Sequence, residues 1–233
     1  MQFLTKQQRI NRAVMILRKN WVLLVFGAEV VLVTLYAITA LANGGEPFAL
    51  LNVNGLRTLP SYLQAIQLFL IGALPFWMCV RYRRPDIPPS RKLLAFVGLF
   101  FIYVSIDELF KLNFLFGKHR LWQSIYLLVG AAIPFLFYQD LKRLYGLSPK
   151  SMQLIGLGIG IFLLGGFGLE LFRAHIQEPH WYRFFSRWQF YQVDTIRTAF
   201  EELGEMLGET IVLKGVVQLF LARQARVKLR TTA

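Results

Sequence analysis

The sequence predicts an all-α polytopic membrane protein with six transmembrane helices and both termini in the cytoplasm. Apolar residues make up 55% of the 233 residues, and charged residues make up only 17%. The apolar residues form runs that can cross about 30 Å of hydrocarbon, which takes roughly 20 helical residues. This composition argues against a secreted disulfide scaffold, a disordered tail and a nucleic-acid-binding domain, so no nucleic-acid partner is expected.

The six predicted spans divide the chain into an arm, one transmembrane domain and a tail. The spans cover approximately residues 20–42, 62–80, 93–113, 121–139, 152–173 and 198–221. The first is expected to be a retained helix, because its apolar run exceeds the core of about 7–15 residues that a cleaved signal carries. The predicted units are a cytoplasmic basic arm (1–19), the transmembrane domain (20–222) and a cytoplasmic basic tail (223–233).

The distribution of lysine and arginine predicts the orientation. With a cytoplasmic N-terminus, the inner segments carry 17 of these residues and the outer segments carry 7. Basic residues accumulate on the cytoplasmic side of membrane proteins, so both termini are expected inside. The same bias accounts for most of the net charge of +13. A basic inner face also predicts contact with anionic lipid headgroups.

The segment before the last span predicts a helix that lies in the membrane plane. Its aromatic residues recur at helical spacing, and the intervening arginines fall on another face. These aromatic residues are Trp181, Phe184, Phe185, Trp188 and Tyr191. The alternative is a loop whose aromatic side chains simply form an interfacial belt.

Acidic residues inside the apolar helices are the most informative feature of the sequence. A charge at the centre of a span costs roughly 2.5–3.5 kcal/mol on insertion scales. Eight of the 13 acids nevertheless lie in or beside the spans: Glu29, Asp107, Glu108, Glu170, Glu201, Glu202, Glu205 and Glu209. The alternating topology predicts that the third, fifth and sixth spans bring their acids to the same outer half of the bilayer.

Three hypotheses explain these acids. A divalent metal is a candidate cofactor, because facing carboxylates in a helical bundle bind hard cations, although no Glu-x-x-His pair occurs. The candidate ligands are Asp107, Glu108, Glu170, Glu202, Glu205 and Glu209. Lys111 is the candidate ion-pair partner, since it follows Asp107 by four residues and Glu108 by three. The other two hypotheses are a buried ion-pair network that fixes helix register and a proton or ion pathway.

Glycines at a spacing of four predict where helices approach closely. Gly156 and Gly160 form one small-x-x-x-small pair in the fifth span, and Gly204 and Gly208 form another in the sixth. Small residues at this spacing let two helix backbones pack against each other.

Several segments resemble a family of uncharacterised bacterial multi-pass membrane proteins. The similar segments are SIDELFKLNF (105–114), LGGFGLELF (164–172), AFEELGEMLGE (199–209) and NGLRTLPS (54–61). The resemblance covers roughly residues 50–215 and implies a multi-pass fold in a bacterial inner membrane, with no assigned activity. Asn113 and Phe114 stand where the family has a His-Glu pair, and Leu56 stands for Glu. If those residues are metal ligands in relatives, this chain has lost them, which favours a structural role.

The function predicted from the sequence is a non-enzymatic accessory or scaffold subunit of a larger membrane complex. The chain is small and rich in glycine packing surfaces, and it carries no complete Ser/His/Asp, phosphate-loop or cysteine-based catalytic set. The expected partners are membrane lipids and other membrane proteins. A membrane metalloprotein with oxidoreductase activity and a proton or ion carrier are the alternatives, and pigment, quinone or lipid ligands in the aromatic grooves stay open.

Overall fold

The computed structural model describes residues 6–53, 55–81, 88–112, 119–173 and 186–232. Every regular element in these ranges is helical, which confirms the all-α prediction. The elements are α1 (Lys6–Ala42), a 3₁₀ turn (Ala49–Leu51), α2 (Leu59–Arg81), α3 (Arg91–Phe110), α4 (His119–Leu136), α5 (Tyr138–Leu147), α6 (Pro149–Phe162), a π-helical segment (Leu163–Gly168), α7 (Leu169–Phe172) and α8 (Arg187–Thr232).

Four described stretches are long and apolar enough to cross a membrane. They are Asn20–Ala42, Leu59–Arg81, Arg91–Phe110 and Pro149–Leu171. A fifth crossing is formed if the pair Ser124–Leu136 and Tyr138–Leu147, bent by 73°, counts as one broken span. The predicted sixth span lies within α8, whose charged residues keep it outside this set. Several long apolar helices therefore support membrane integration, while the count of six is not confirmed.

The long helix α8 differs from the predicted in-plane helix followed by a separate span. It has 46 residues, which corresponds to about 69 Å. Trp188 and Tyr191 lie in its first turns, and the same helix continues without a break through residues 198–221. The physical reason is that no glycine or proline interrupts residues 186–203. The other predicted aromatic residues, Trp181, Phe184 and Phe185, lie outside the described residues.

A capping box explains where α8 begins. The backbone N–H of Ser186 donates to Gln189 Oε1 at 3.0 Å, and the Gln189 N–H donates to Ser186 Oγ at 3.4 Å. This reciprocal pairing satisfies backbone donors that would otherwise lack partners at a helix start. The ends of the chain are also more helical than predicted, because residues 6–19 continue into α1 and α8 extends to Thr232.

The helix α8 is the central element of the bundle. Val33 and Tyr36 of α1 pack with Ala199 and Met206 of α8 in one buried apolar group. Further along α8, a second buried group contains Ile71, Val212, Leu213 and Val216, with Trp21 packed against it. Because other helices pack against α8, its polar side chains Glu202, Glu209 and Thr210 are buried inside the bundle.

Glycines place α6 and the π-helical segment directly against α8 in an antiparallel arrangement. A Cβ built on Gly158 would lie 2.6 Å from the carbonyl oxygen of Gly208, and one on Gly165 would lie 2.8 Å from Gly204 Cα. Both glycines of the predicted α8 pair therefore make close helix contacts. Such approaches permit backbone contact that no larger residue allows.

The predicted Gly156–Gly160 contact is wrong. A Cβ on either residue would meet no atom within 4 Å among the described residues, whereas the intervening Gly158 is the contact residue. Consecutive helical residues differ by about 100° in direction, so residues two apart face different sides. The spacing pattern identified a small-residue helix correctly but selected the wrong face.

Candidate functional site: buried acids around the last helix

A polar triad of Glu29, Gln67 and Thr210 joins α1, α2 and α8 in the bundle interior. Gln67 Nε2 donates to Glu29 Oε1 at 2.6 Å and to Thr210 Oγ1 at 2.7 Å. The Thr210 hydroxyl donates to the same Glu29 oxygen at 2.5 Å. Glu29 and Thr210 are both fully buried. The triad therefore connects three helices through hydrogen bonds between buried side chains.

Some oxygens at the deep end of this region lack hydrogen-bond partners. Within the described part of the chain, Glu29 Oε2, Gln67 Oε1 and Glu209 Oε2 are buried and accept no hydrogen bond. Glu209 is only 4% exposed and precedes Thr210 in α8. Buried polar atoms in native proteins nearly always have a partner, and exceptions call for a specific explanation. All three oxygens can accept a hydrogen bond or contact a cation, and the two carboxyl oxygens can also take up a proton.

The acids of α3 make separate pairings. Lys111 Nζ donates to Glu108 Oε1 at 2.6 Å, and both side chains are largely buried. Asp107 instead accepts a hydrogen bond from the Tyr126 hydroxyl of α4 at 2.7 Å. The two adjacent acids thus have different partners. Glu108 pairs with Lys111 at the end of α3, and Asp107 bonds to Tyr126 on α4.

Arg197 organises a group of ion pairs near the start of α8. It contacts Glu201 in a close ion pair, and its Nε donates to Asp194 Oδ1 at 3.1 Å. Glu170 lies 4.0 Å from Arg197 and 3.8 Å from Arg173. Burial alone would lower the pKa of Arg197, but the carboxylates of Glu201 and Asp194 raise it above its ordinary value. The guanidinium is therefore positively charged at every physiological pH.

Glu205 lies against the π-helical segment. A Cβ built on Gly166 would fall 2.3 Å from Glu205 Oε1, so a larger residue there would require the Glu205 carboxyl group to move. Single-turn π-helical irregularities are frequent at functional sites. The segment Leu163–Gly168 therefore shapes the space that the Glu205 side chain occupies.

The acids of α8 are close to those of α3. Glu202 and Glu205 both lie within electrostatic range of Glu108 and Lys111. Glu209 lies within range of Glu108 and also of Glu29. Among the described residues, however, no group of three or more His, Cys, Asp or Glu side chains is placed to hold a metal ion. The metal-ligand role of the predicted acids stays a prediction.

The sequence reasoning missed several polar residues that complete these arrangements. Gln67 and Thr210 carry no charge, so the placement of ionisable residues does not identify them, although Gln64 and Gln67 interrupt an otherwise apolar helix. Arg197 directly precedes the predicted span 198–221, and nothing in the sequence predicts its burial, yet it is only 6% exposed and lies in α8. Tyr126 gave no signal in the sequence, because tyrosine is common in membrane helices and its partner lies on another helix.

One family profile matches residues 22–219, from the first apolar stretch to the far side of the acids in α8. The chain belongs to this family, described as a domain of unknown function (DUF8692). The matched range of DUF8692 contains the polar triad, the α3 acids and the Arg197 group. Membership confirms that the chain is part of a family without an assigned function, as the sequence resemblance implied. No curated protein and no solved structure shows significant similarity to the chain.

Proposed function

We propose that this DUF8692 protein is an ion carrier that binds a proton at the buried acids around α8. The observation that supports the proposal is a row of ionisable side chains beside and along α8 that leads from partly exposed carboxylates to a deeply buried one. It starts at the Arg197 group, where Glu170 is 37% and Asp194 is 27% exposed. It continues through Glu201 and Glu205 to the deeply buried Glu209. In membrane proteins, ionisable residues that face the interior mark ion pathways by default.

The chemistry at the end of the row suits a proton. Glu209 Oε2 and Glu29 Oε2 accept no hydrogen bond from the described residues. A proton needs a single oxygen, whereas a metal ion needs several at fixed distances. Glu29 is held in place by Gln67 and Thr210, so its second oxygen is left to receive the ion. These features favour proton binding over metal binding as the role of the acids.

An apolar layer beyond Thr210 supports a carrier rather than an open channel. The buried residues Ile71, Val212, Leu213 and Val216 follow directly along the bundle. No acid of α8 lies beyond Glu209. In this conformation the row leads from one end to the middle, and the apolar layer separates it from the other end. Transport then requires a second conformation in which the layer opens, as in alternating access.

The finer topology is also part of the proposal. Residues 198–221 of α8 form a sixth crossing, because its acids face other helices instead of lipid. The helix runs antiparallel to α6 and α1, as two crossings of opposite direction require. The excess of 17 basic residues over 7 favours cytoplasmic termini in a bacterial inner membrane.

A flux measurement in proteoliposomes tests the carrier. Purified protein is reconstituted with an internal pH-sensitive dye, and an imposed pH gradient is followed over time. The wild type and a Glu46→Gln control, altered at an exposed loop acid, should dissipate the gradient faster than empty vesicles. Glu209→Gln should lower the rate to that of empty vesicles. A wild-type rate equal to that of empty vesicles would reject the carrier.

The accessory-subunit hypothesis is a second candidate, favoured by the break between α4 and α5. The two helices bend by 73°. Phe135 is 85% exposed and Leu136 is 68% exposed at the break. Irregular backbone at membrane depth is usually covered by protein rather than by lipid. A partner protein that covers this break should co-purify at fixed stoichiometry in mild detergent, and a Phe135→Arg variant should lose it.

A further inference from the structure

A groove of about 400 Å³ lies between α6 and α8, on the part of α8 that follows the acids. Its lining combines two lysines and two glutamines with two leucines. The lining residues are Lys150, Gln153, Leu154, Leu157, Lys214 and Gln218. The groove therefore joins a basic polar part to an apolar part.

The geometry of the two helices places both lysines at the same end of the groove. On α6 the four lining residues follow the spacing i, i+3, i+4 and i+7, which is one face of a helix. On α8, Lys214 and Gln218 are four apart and share a face as well. A Cβ on Gly215 would lie 2.9 Å from the Ser151 carbonyl oxygen, so the helices touch beside both lysines. Lys150 and Lys214 thus lie at one level, and Leu157 lies further along α6.

Neither lysine is neutralised by the part of the protein that the structure describes. No carboxylate oxygen there lies within 4 Å of the Nζ atom of Lys150 or Lys214. Lys214 is only partly exposed and falls within the apolar section of α8. A cation within a membrane helix is costly unless it pairs with an anion or reaches water. The groove consequently has two positive charges that an external anion can neutralise.

We propose that this groove binds an anionic phospholipid. The two ammonium groups contact the phosphate, Gln153 and Gln218 donate to headgroup oxygens, and an acyl chain lies along Leu154 and Leu157. Basic pockets between membrane helices bind the headgroups of anionic lipids. A soluble phosphate would use the lysines but leave the apolar part of the groove unfilled. The adjoining leucines therefore favour a lipid as the occupant.

Native mass spectrometry of the full chain with phosphatidylglycerol or phosphatidylcholine tests the proposal. The wild type should retain phosphatidylglycerol in preference to phosphatidylcholine. Each of Lys150→Gln and Lys214→Gln should weaken phosphatidylglycerol binding about fivefold, since a lysine near the membrane surface contributes about that factor. The double variant should lose about 25-fold. A Lys142→Gln variant, altered at an exposed lysine of α5 outside the groove, should bind like the wild type.

Thermal unfolding provides a second readout and separates the lipid from free phosphate. Added phosphatidylglycerol should raise the unfolding temperature of the wild type and of Lys142→Gln, but not that of the double variant. Glycerol phosphate should give no such rise at equal concentration. Equal lipid retention by the double variant and the control would overturn the proposal, as would equal stabilisation of the wild type by glycerol phosphate.

Discussion

The hydroxyl group of Thr210 donates a 2.5 Å hydrogen bond to Glu29, a residue 181 positions earlier in the chain. This contact fixes α8 against α1 at a fully buried level of the bundle. Gln67 of α2 bonds to both residues, so the register of three helices depends on one set of side chains. The same set leaves one Glu29 oxygen without a partner among the described residues. The proposed proton site at Glu29 therefore belongs to the same carboxyl group that sets the helix register.

Removal of the Thr210 hydroxyl should destabilise the protein. Thr210→Val keeps the shape of the side chain but deprives buried Glu29 of one donor, which should cost about 1–3 kcal/mol. The check is the free energy of unfolding in detergent. Thr34→Val, at an exposed position of α1, should change that energy by less than about 0.5 kcal/mol. Equal effects of the two substitutions would show that the Thr210–Glu29 bond does not stabilise the fold.

Two glycines of α6 should respond in opposite directions to the same substitution. Gly158→Ala forces a methyl group to within 2.6 Å of the Gly208 carbonyl oxygen and should cost about 1–3 kcal/mol. Gly156→Ala meets open space and should stabilise the helix by up to about 1 kcal/mol. Thermal unfolding of both variants measures the difference. If Gly156→Ala were the less stable of the two variants, Gly158 would not be the residue at which α6 contacts α8.

The two arginines near the start of α8 should differ in importance. Arg197 is buried and pairs with Glu201 and Asp194, so Arg197→Gln should cost about 1–3 kcal/mol by leaving two partly buried carboxylates without their cation. Arg173 is 39% exposed and lies 3.8 Å from Glu170 and 4.0 Å from Asp194, so Arg173→Gln should cost less than about 1 kcal/mol. Chemical unfolding of both variants tests this order. If the two variants lost similar amounts of stability, the ion pairs of Arg197 would not contribute more to the fold than those of Arg173.

The Tyr126 hydroxyl should hold α4 against α3. Tyr126→Phe removes the 2.7 Å hydrogen bond to buried Asp107 and should cost about 1–3 kcal/mol. Tyr138→Phe changes an exposed tyrosine at the start of α5 and serves as the matched control. Limited proteolysis of the α3–α4 connection should become faster in Tyr126→Phe only. Unchanged cleavage and stability would argue that Asp107 does not depend on this bond.

The apolar runs were sufficient to predict most of the helices. The first predicted span, 20–42, coincides with the apolar stretch Asn20–Ala42, and the predicted span 93–113 overlaps Arg91–Phe110. Long runs are reliable because hydrophobicity over about 20 residues depends little on tertiary contacts. The bend between α4 and α5 was not foreseen. Pro134, three residues before the bend, is the available signal, because sharp kinks usually occur at proline. It does not decide the matter alone, since Pro75 lies inside the unbroken helix α2.

The detailed pairings could not be predicted, because they depend on which helix faces are in contact. The spacing in the sequence allows Lys111 to pair with either Asp107 or Glu108. The structure shows that it forms an ion pair with Glu108. Glu29 was recognised as an unusual acid, but its partners Gln67 and Thr210 lie on other helices. The aromatic spacing predicts a separate interfacial helix, whereas Trp188 and Tyr191 belong to the first turns of α8, so the full length of α8 is not predicted. Face and register are tertiary properties that spacing alone leaves open.

Difference infrared spectroscopy of the reconstituted protein during a pH step tests the central claim most directly. If Glu209 binds a proton, a protonated carboxyl band should change with pH in the wild type and in the Glu46→Gln control, and most of this change should be absent in Glu209→Gln. A band change of the same size in Glu209→Gln, or no carboxyl change in the wild type, would contradict proton binding at Glu209.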